Sequence, residues 1–121
     1  MIIAILASLA CAAVDGDSLR CGAERVRLLG IDAPELHACP RTRRCAPGDG
    51  HASKTALTRA IGGRTVKLRR VGKDRYGRTI AIVHVGRVNL SCAQLAGGQA
   101  IYKRQWDNGR RIARTCPKVA R

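Results

Sequence analysis

Several short stretches of the chain alternate between apolar and polar residues, and this period of two predicts β-strands. Two further short segments flank an Asp-Gly-Asp sequence at residues 15–17, which favours a tight hairpin there. A later run of apolar, largely β-branched residues is typical of a central strand. Pro34 ends the third strand, because proline lacks the N–H donor that a sheet requires. The predicted strands cover residues 9–14, 18–21, 24–31, 64–71 and 79–85.

A period of 3.6 predicts a helix at residues 51–61. Its apolar face contains Ala52, Ala56, Leu57, Ala60 and Ile61. The pair Gly62-Gly63 ends this helix, since glycine readily adopts the left-handed conformation of a helix C-terminus. A second, short helix is predicted to begin with Ser91 as its cap and to end at Gly97-Gly98. Residues 37–50 contain prolines, glycines and cysteines and are predicted to form a loop.

This order of elements is three strands, a helix, two strands, a helix and a basic tail, and it predicts an α+β, mainly β fold. A five-stranded barrel with a helix between the third and fourth strands is the OB-fold arrangement, here with two or three helices. At 121 residues the chain has room for one such domain with one hydrophobic core. We place this domain at residues 11–104, after a hydrophobic segment at 1–10. The basic tail at 105–121 is expected to hold at most one helical turn.

The chain is strongly basic, with 23 Lys and Arg residues against 8 acids and a formal net charge of +15. Such a charge favours polyanionic partners, which include nucleic acids, anionic lipids and acidic polysaccharides. A basic surface without a specific partner is the simpler alternative. The aromatic residues are Tyr76, Tyr102 and Trp106 alone, which counts against base stacking as the main mode of nucleic-acid binding.

Half of the acids lie in one short window. They are Asp15, Asp17, Asp32 and Glu35. Clustered carboxylates repel one another unless protons or a cation neutralise them. A basic protein that gathers its few acids in this way is predicted to use them as a site. A lipid-binding surface gains nothing from embedded carboxylates, so the cluster favours nucleic acid over membrane.

The six cysteines are many for a reducing cytosol, and they favour disulfides and export. One pair lies symmetrically about Gly16, so the predicted hairpin would set its members opposite each other. A second pair encloses a short loop that a disulfide would close, and the remaining pair would tether the C-terminal tail. Six cysteines allow many other connectivities. The pairs that we favour are Cys11–Cys21, Cys39–Cys45 and Cys92–Cys116.

A second use of two cysteines is suggested by the histidines on either side of them. His37, Cys39, Cys45 and His51 would together form a small zinc module. The spacing between the two cysteines is longer than zinc sites usually show. Zinc is therefore kept as an alternative to the disulfide.

Residues 1–10 are hydrophobic and end in Ser-Leu-Ala before Cys11, a sequence that resembles a signal-peptidase site. They lack the usual Lys or Arg near the start, so a first β-strand, or a true start further upstream, is the alternative. The segment is far too short to span a membrane as a helix, and we expect no stable membrane insertion. With the cysteines, it predicts a secreted or periplasmic protein.

Three short motifs occur in order along the predicted strands. They are Asp15-Gly16-Asp17, Arg27-Leu-Leu-Gly-Ile-Asp-Ala-Pro-Glu35 and Asp74-Arg-Tyr-Gly-Arg78. Each motif alone is common, but the three in this order resemble the staphylococcal nuclease, or thermonuclease-like, family. The resemblance covers about residues 9–104, which is most of the chain.

The resemblance implies a calcium site. Asp17 and Asp32 would be ligands, together with the backbone carbonyl of Ala33, and Asp15 would bind the ion through water. Calcium takes six to eight oxygen ligands, so carboxylates, a carbonyl and water suit it. A hydroxyl residue is common in the family where Ala33 stands, but the ligand there is a main-chain carbonyl, so the difference should matter little.

The resemblance also implies roles in catalysis. Glu35 would activate or position the attacking water, and Arg27 and Arg78 would bind the scissile phosphate. Arg75 and Tyr76 would line the nucleotide site. Arginine suits a phosphate because its planar fork matches two phosphate oxygens.

The function implied is a calcium-dependent endonuclease that cleaves DNA and RNA with little sequence specificity, acting as a monomer. A non-catalytic OB-fold protein that binds nucleic acid is the alternative, which the loss of Glu35 or of either arginine would have favoured. A basic, membrane-active protein is the weakest alternative. The loop at 37–50 differs from that of the family, and we expect it to influence substrate access.

Overall fold

The chain folds into a curled, mainly β structure with three helices, and the predicted α+β class is confirmed. The computed structural model describes residues 8–121. The strands are β1 Ser8–Leu9, β2 Ala12–Ala13, β3 Ser18–Cys21, β4 Glu24–Leu28, β5 Ile31–Asp32, β6 Val66–Lys73, β7 Thr79–Val85, β8 Val88–Asn89 and β9 Ile101–Tyr102. The helices are α1 Gly50–Ile61, α2 Leu90–Ala96 and α3 Arg111–Thr115, and 3-10 turns lie at Arg104–Trp106 and Asn108–Arg110.

Seven strands form one sheet, with the order β1-β6-β7-β4-β3-β2 and with β8 paired to the end of β7. β4 and β7 run parallel, and the other neighbours run antiparallel. β5 and β9 form a separate antiparallel pair. Of the five strands predicted from the sequence, two are therefore divided and three are observed at their predicted length.

Apolar side chains are buried in two clusters. The larger cluster joins the sheet to α1 and α2 through residues such as Val26, Leu28, Leu57, Val83 and Leu90. The smaller cluster joins the sheet to the C-terminal segment through Leu29, Ile82, Ile112, Ala113 and Ala120. The sheet is thus covered by helices on one side and by the C-terminal segment on another.

The strand predicted at residues 24–31 is divided in the structure. β4 ends at Leu28, and Gly30 has a φ of 79°, in the left-handed region that favours glycine. The turn at Gly30 lets β5 leave the main sheet and pair with β9, where Asp32 lies opposite Ile101. The prediction of one continuous strand was therefore wrong, and the break gives Asp32 a different neighbour.

The strand predicted at residues 9–14 is also split between two neighbours. β2 pairs with β3 and forms the expected hairpin, whereas β1 pairs with β6. The predicted strand at 64–71 is observed as β6, slightly further along the chain. Residues 1–7 of the predicted hydrophobic segment lie outside the described residues.

The two longer helices begin at side-chain caps. The carboxylate of Asp49 accepts hydrogen bonds from two backbone N–H groups in the first turn of α1. α2 is capped by Asn89, so the prediction of Ser91 as its cap was wrong. Ser91 lies within the helix, and its hydroxyl donates to the carbonyl oxygen of Leu29 at 2.8 Å. None of the helices in residues 8–121 is long and apolar enough to cross a membrane.

The C-terminal tail is more structured than its sequence predicts. It contains α3 and both 3-10 turns, where at most one helical turn was expected. Ile112 is fully buried. Asp107 is buried as well, and it accepts hydrogen bonds from two backbone N–H groups of α3 and from the Tyr102 hydroxyl. The tail is therefore held against β9 and the sheet.

Candidate active site

The turn at residues 15–17 sets two carboxyl groups side by side. Asp15 accepts hydrogen bonds from the backbone N–H of Asp17 at 3.0 Å and from the hydroxyl of Ser18 at 2.7 Å. Burial raises the pKa of Asp17 to about 7, against the opposing charge of Arg27, and the neighbouring Asp15 adds to the rise. Burial would also raise the pKa of Asp15, but the hydrogen bonds from Asp17 and Ser18 outweigh this effect and hold it below its ordinary value. A cation beside this pair would relieve their repulsion.

A buried polar network fixes the position of this turn. The side-chain amide of Gln94 on α2 donates to the carbonyl oxygen of Gly16 at 2.8 Å and to that of Ser53 at 3.0 Å. The hydroxyl of Ser53 donates to the carbonyl oxygen of Gln99 at 2.7 Å. A Cβ at Gly16 would lie 1.8 Å from Ser53 Oγ, so only glycine fits there without movement. Neither Gln94 nor Ser53 stands out in the sequence, because no local pattern connects the helices with the turn.

The second acid-bearing segment lies directly beside the turn. The backbone N–H of Ala33 donates to Asp17 Oδ2 at 2.8 Å, and Asp17, Asp32 and Ala33 are all buried. The first turn of α1 also approaches this segment, since a Cβ at Gly50 would lie 2.2 Å from the carbonyl oxygen of Glu35. The fold therefore brings the first two motifs together, and the first turn of α1 packs against the backbone of Glu35.

Arg27 connects the acids with an open cleft. Its Nη1 lies 3.4 Å from Asp17 Oδ2, and its Nη2 donates to the carbonyl oxygen of Ile31 at 3.1 Å. The guanidinium carbon lies 4.9 Å from the centre of the Trp106 ring. Because Arg27 alternates with buried neighbours on β4, its side chain points away from the larger core cluster.

The second predicted arginine, Arg78, is oriented by an acid of its own motif. Asp74 Oδ2 lies 2.7 Å from Arg78 Nε, and Asp74 Oδ1 accepts the backbone N–H of Arg78 at 2.9 Å. The exposed ring of Tyr76 lies 5.0 Å from the guanidinium carbon of Arg75 and 5.7 Å from that of Arg78. Arg25 donates to the carbonyl oxygen of Tyr76 and supports the same loop. Asp74 thus acts as the orienting partner of Arg78, a role that the sequence did not predict.

These side chains meet in one open cleft of about 620 Å³. Five of the predicted site residues line it, namely Arg27, Asp32, Arg75, Tyr76 and Arg78. Four others are not among its lining residues, namely Asp15, Asp17, Ala33 and Glu35. The cleft therefore joins the predicted phosphate-binding arginines to one of the predicted metal ligands.

Lys103 and Trp106 also line the cleft, although the sequence did not predict them as site residues. Both follow β9, whose pairing with β5 carries them to this place, and the N–H of Lys103 donates to the carbonyl oxygen of Gly30 at 2.8 Å. Trp106 is 40% exposed. Trp106 is the single tryptophan of the chain, which could have marked it as a candidate site residue. Its position could not be predicted, because no strand was predicted before it.

Arg43, in the loop between β5 and α1, contacts two of the predicted acids. Its Nη2 lies 3.3 Å from Asp32 Oδ2, and its Nη1 lies 3.2 Å from Glu35 Oε1. The side chain of Asp32 is nearly inaccessible, whereas that of Arg43 is 42% exposed. This contact was not predicted either, since the loop contains several arginines with nothing to distinguish them.

The oxygen donors in this region are of the kind that calcium binds. The carboxylates of Asp17 and Asp32 and the carbonyl of Ala33 are hard ligands. Each carboxylate already pairs with a guanidinium group: Asp17 with that of Arg27, and Asp32 with that of Arg43. As the side chains are arranged, no group of three His, Cys, Asp or Glu residues between 8 and 121 is close enough to hold a metal. The donors therefore fit calcium in their chemistry, and binding would require the acids to exchange arginine for the ion.

All six cysteines are paired, in the combinations that the sequence favoured. The disulfides are Cys11–Cys21, Cys39–Cys45 and Cys92–Cys116. Because Cys39 and Cys45 are bonded to each other, they offer no thiolate to a metal, and the alternative zinc module with His37 and His51 was wrong. The disulfides close the hairpin, the loop before α1 and the connection from α2 to the C-terminal segment.

Comparison with known sequences identifies the family of the chain. Residues 25–117, which are most of the chain, match the family described as Staphylococcal nuclease homologue. The chain belongs to this family. The resemblance inferred from the three motifs is thus confirmed. In this staphylococcal nuclease homologue the matched region runs from β4 past α3, so it includes the C-terminal segment that carries Trp106.

Relatives of this staphylococcal nuclease homologue are found in bacteria, plants and fungi. A Haemophilus influenzae protein named "Uncharacterized endonuclease" is 33% identical over 99 residues, which cover 78% of this chain and 51% of that protein. "Probable staphylococcal-like nuclease CAN2" of Oryza sativa subsp. japonica is 31% identical over 90 residues, or 74% of this chain and 22% of that protein. "Probable endonuclease LCL3" of Paracoccidioides lutzii is 42% identical over 62 residues, or 51% of this chain and 17% of that protein. The chain thus spans about half the length of these relatives, or less.

Proposed function

We propose that the chain is a calcium-dependent endonuclease that hydrolyses phosphodiester bonds of DNA and RNA with little sequence specificity. The observation that carries this proposal is one cleft whose lining joins Asp32 with Arg27 and Arg78. A cation site beside two guanidinium groups suits a phosphodiester, because the diester is an anion that gains charge during hydrolysis. The names of the bacterial and fungal relatives, which include the word endonuclease, support the same class of reaction.

Arg27 and Arg78 are the proposed ligands of the scissile phosphate. Within the described residues, Asp74 engages the side chain of Arg78 through Nε, which leaves Nη1 and Nη2 for two phosphate oxygens. Arg27 is close enough to Asp17 to link the phosphate to the acid cluster. Paired hydrogen bonds from a planar guanidinium strengthen as negative charge develops on the phosphate oxygens.

Glu35 is the proposed general base. Its side chain is 35% exposed, so a water molecule has access to it. The carboxylate would accept a proton from this water as the water attacks the phosphorus atom. The bond from phosphorus to the 5′ oxygen would break, and the 5′ oxygen would leave as a hydroxyl after taking up a proton from solvent. Calcium, held by Asp17, Asp32 and the Ala33 carbonyl, with Asp15 through water, would polarise a phosphoryl oxygen.

The nucleotides on either side of the scissile bond are proposed to contact the aromatic residues of the cleft. Tyr76 and Trp106 are both partly exposed there, and Arg75 lies beside the tyrosine. Stacking on an aromatic ring tolerates every base, because each base has a π-face. This mode of binding is consistent with little sequence specificity.

The same proposal includes the compartment and the oligomeric state. Three disulfides are typical of proteins from oxidising environments, which supports a secreted or periplasmic location. We also propose that the chain acts as a monomer.

One observation favours a second candidate function. Arg43 contacts both Asp32 and Glu35, and a guanidinium fixed there would block both the cation and the base. A protein in that state would bind nucleic acid through its basic surface without cleaving it.

The deciding experiment incubates the protein with single-stranded DNA and with RNA, in calcium and in EDTA, beside Glu35→Gln. We expect the wild type to cleave both in calcium and neither in EDTA, and the family resemblance predicts 5′-hydroxyl and 3′-phosphate ends. Glu35→Gln should bind DNA but cleave it roughly 10²–10⁴-fold more slowly. Full cleavage in EDTA would contradict the role of calcium, and DNA binding without cleavage by the wild type would favour the second function.

A further inference from the structure

We infer that Arg43 is a further residue of the active site, which competes with the divalent cation for Asp32, while it also pairs with Glu35, and thereby sets the affinity of the site for that cation. The inference rests on the proposed function, since it assigns the same two acids to metal binding and to catalysis. It adds a residue for which the motifs give no role.

The geometry places one guanidinium across two acids. Arg43 Nη2 lies 3.3 Å and 3.4 Å from the two carboxylate oxygens of Asp32, and Nη1 lies 3.2 Å from Glu35 Oε1. Asp32 is buried, so its carboxylate is shielded from bulk water. One arginine thus pairs with the predicted metal ligand and the predicted base together.

A cation and Arg43 cannot use the carboxylate oxygens of Asp32 at the same time. Both are positive, both require the same lone pairs, and two positive charges a few ångströms apart repel each other strongly outside bulk water. Cation binding therefore includes the free energy of displacing Arg43, and the apparent affinity is lower than that of the bare acids. Reciprocally, a bound cation should release Arg43 from the acids.

The side chain of Arg43 can remain in the cleft when a cation displaces it from the acids. Its side chain is 42% exposed and lines the cleft that also holds Arg27 and Arg78. Released from the acids, its guanidinium remains beside the proposed path of the nucleic acid, where it can pair with a phosphate.

The disulfide Cys39–Cys45 keeps Arg43 within reach of the acids. Arg43 lies between the two cysteines, and its backbone N–H donates to the carbonyl oxygen of Pro40 at 3.3 Å. Closing so short a loop limits the distance over which the arginine can move. Reduction of this disulfide is expected to weaken the competition.

The test measures calcium affinity directly, by isothermal titration calorimetry of the full chain without nucleic acid. Arg43→Gln should bind calcium at least about fivefold more tightly than the wild type, the lower end of typical coupling between two sites. Arg41→Gln is the matched control, because Arg41 lies in the same loop and makes no ion pair among residues 8–121. It removes the same charge and should leave the affinity nearly unchanged.

A second variant tests the loop. The double variant Cys39→Ser/Cys45→Ser should bind calcium more tightly than the wild type, as Arg43→Gln does. A triple variant that combines these two changes with Arg43→Gln should bind calcium no more tightly than Arg43→Gln alone. Equal affinities for the wild type, Arg43→Gln and Arg41→Gln, in a protein that cleaves DNA with calcium, would overturn the inference and leave the proposed function standing. Absence of calcium binding in the wild type and in Arg43→Gln alike would overturn both.

Discussion

The guanidinium carbon of Arg27 lies 4.9 Å from the centre of the Trp106 ring. A cation over an aromatic face is attracted by the negative charge of that face, so the ring helps to hold Arg27 at the cleft. The amine of Lys103 lies 5.5 Å from the same ring centre. A residue predicted to bind phosphate is thus supported by the C-terminal segment, which in sequence looks like a basic tail.

Replacing Trp106 by alanine is expected to weaken binding of single-stranded DNA about tenfold, because stacking on one base contributes roughly 1–3 kcal/mol. Trp106→Phe should lose much less, since an aromatic face remains beside Arg27. Trp106 is the single tryptophan, so its fluorescence in the wild type should change when an oligonucleotide binds. Fluorescence anisotropy of labelled DNA measures the Kd of all three proteins. An unchanged Kd for Trp106→Ala would place the ring outside the path of the substrate.

Arg27→Ala and Arg78→Lys are expected to slow the chemical step by about 10²–10³-fold, more than they weaken DNA binding. Lysine keeps the charge but loses the fork that matches two phosphate oxygens. Lys118→Ala is the control, since Lys118 lies on the exposed C-terminal surface. It should lower affinity slightly and reduce the salt dependence of binding.

Single-turnover rates and DNA affinities, measured at one salt concentration, separate these two effects. A slower chemical step in Lys118→Ala, equal to that of the arginine variants, would show that the cleft has been assigned to the wrong residues.

The shared position of Arg27 and Arg78 in one cleft could be expected from the sequence, because each lies in a short motif next to a regular strand. The disulfides could be predicted because two of the pairs are close in sequence. Gln94 could not be predicted, since its hydrogen bond to Gly16 spans 78 residues. Trp106 depends on the pairing of two strands of two residues each, too short to leave a periodic pattern.

The predicted elements were wrong where a turn or a strand pairing, rather than the local pattern of residues, sets the boundary. Alternation continues through residues 24–31, but the left-handed turn at Gly30 separates the two strands. Asn89 and Ser91 are both good helix caps. Asn89 acts as the cap because it ends β8, where it pairs with His84, and the helix begins at the next residue.

Gly16→Ala is expected to destabilise the protein by about 1–3 kcal/mol, the usual cost of inserting a methyl group into a closely packed site. The new Cβ would lie 1.8 Å from Ser53 Oγ and 2.8 Å from the Cβ of Ala33. Adding Ser53→Ala should recover part of this loss, because it removes the closest atom. Gly72→Ala is the matched control, since a Cβ there has nothing within 4 Å.

Urea unfolding of five proteins measures these free energies: the wild type, Gly16→Ala, Ser53→Ala, the double variant and Gly72→Ala. Strict additivity of Gly16→Ala and Ser53→Ala would contradict the contact between the turn and α1, since residues in contact are expected to be coupled.

The ion pair between Glu24 and Arg70 is expected to make stability depend on pH in the acid range. Hydrogen bonds from Arg70 and Thr79 lower the pKa of Glu24 from 4.5 to about 2. A lowered pKa means that the folded state favours the ionised carboxylate, so this contribution is fully present above pH 4.5 and is lost as the pH falls towards about 2. The Arg70 side chain is 55% exposed, which limits the contribution to roughly 1 kcal/mol or less.

Glu24→Gln should therefore be less stable than the wild type at neutral pH, and the difference should shrink at about pH 3. A double-mutant cycle with Arg70→Gln, measured by urea unfolding at both pH values, isolates the pair. A coupling free energy that is the same at both pH values would show that the carboxylate charge is not what joins these two residues.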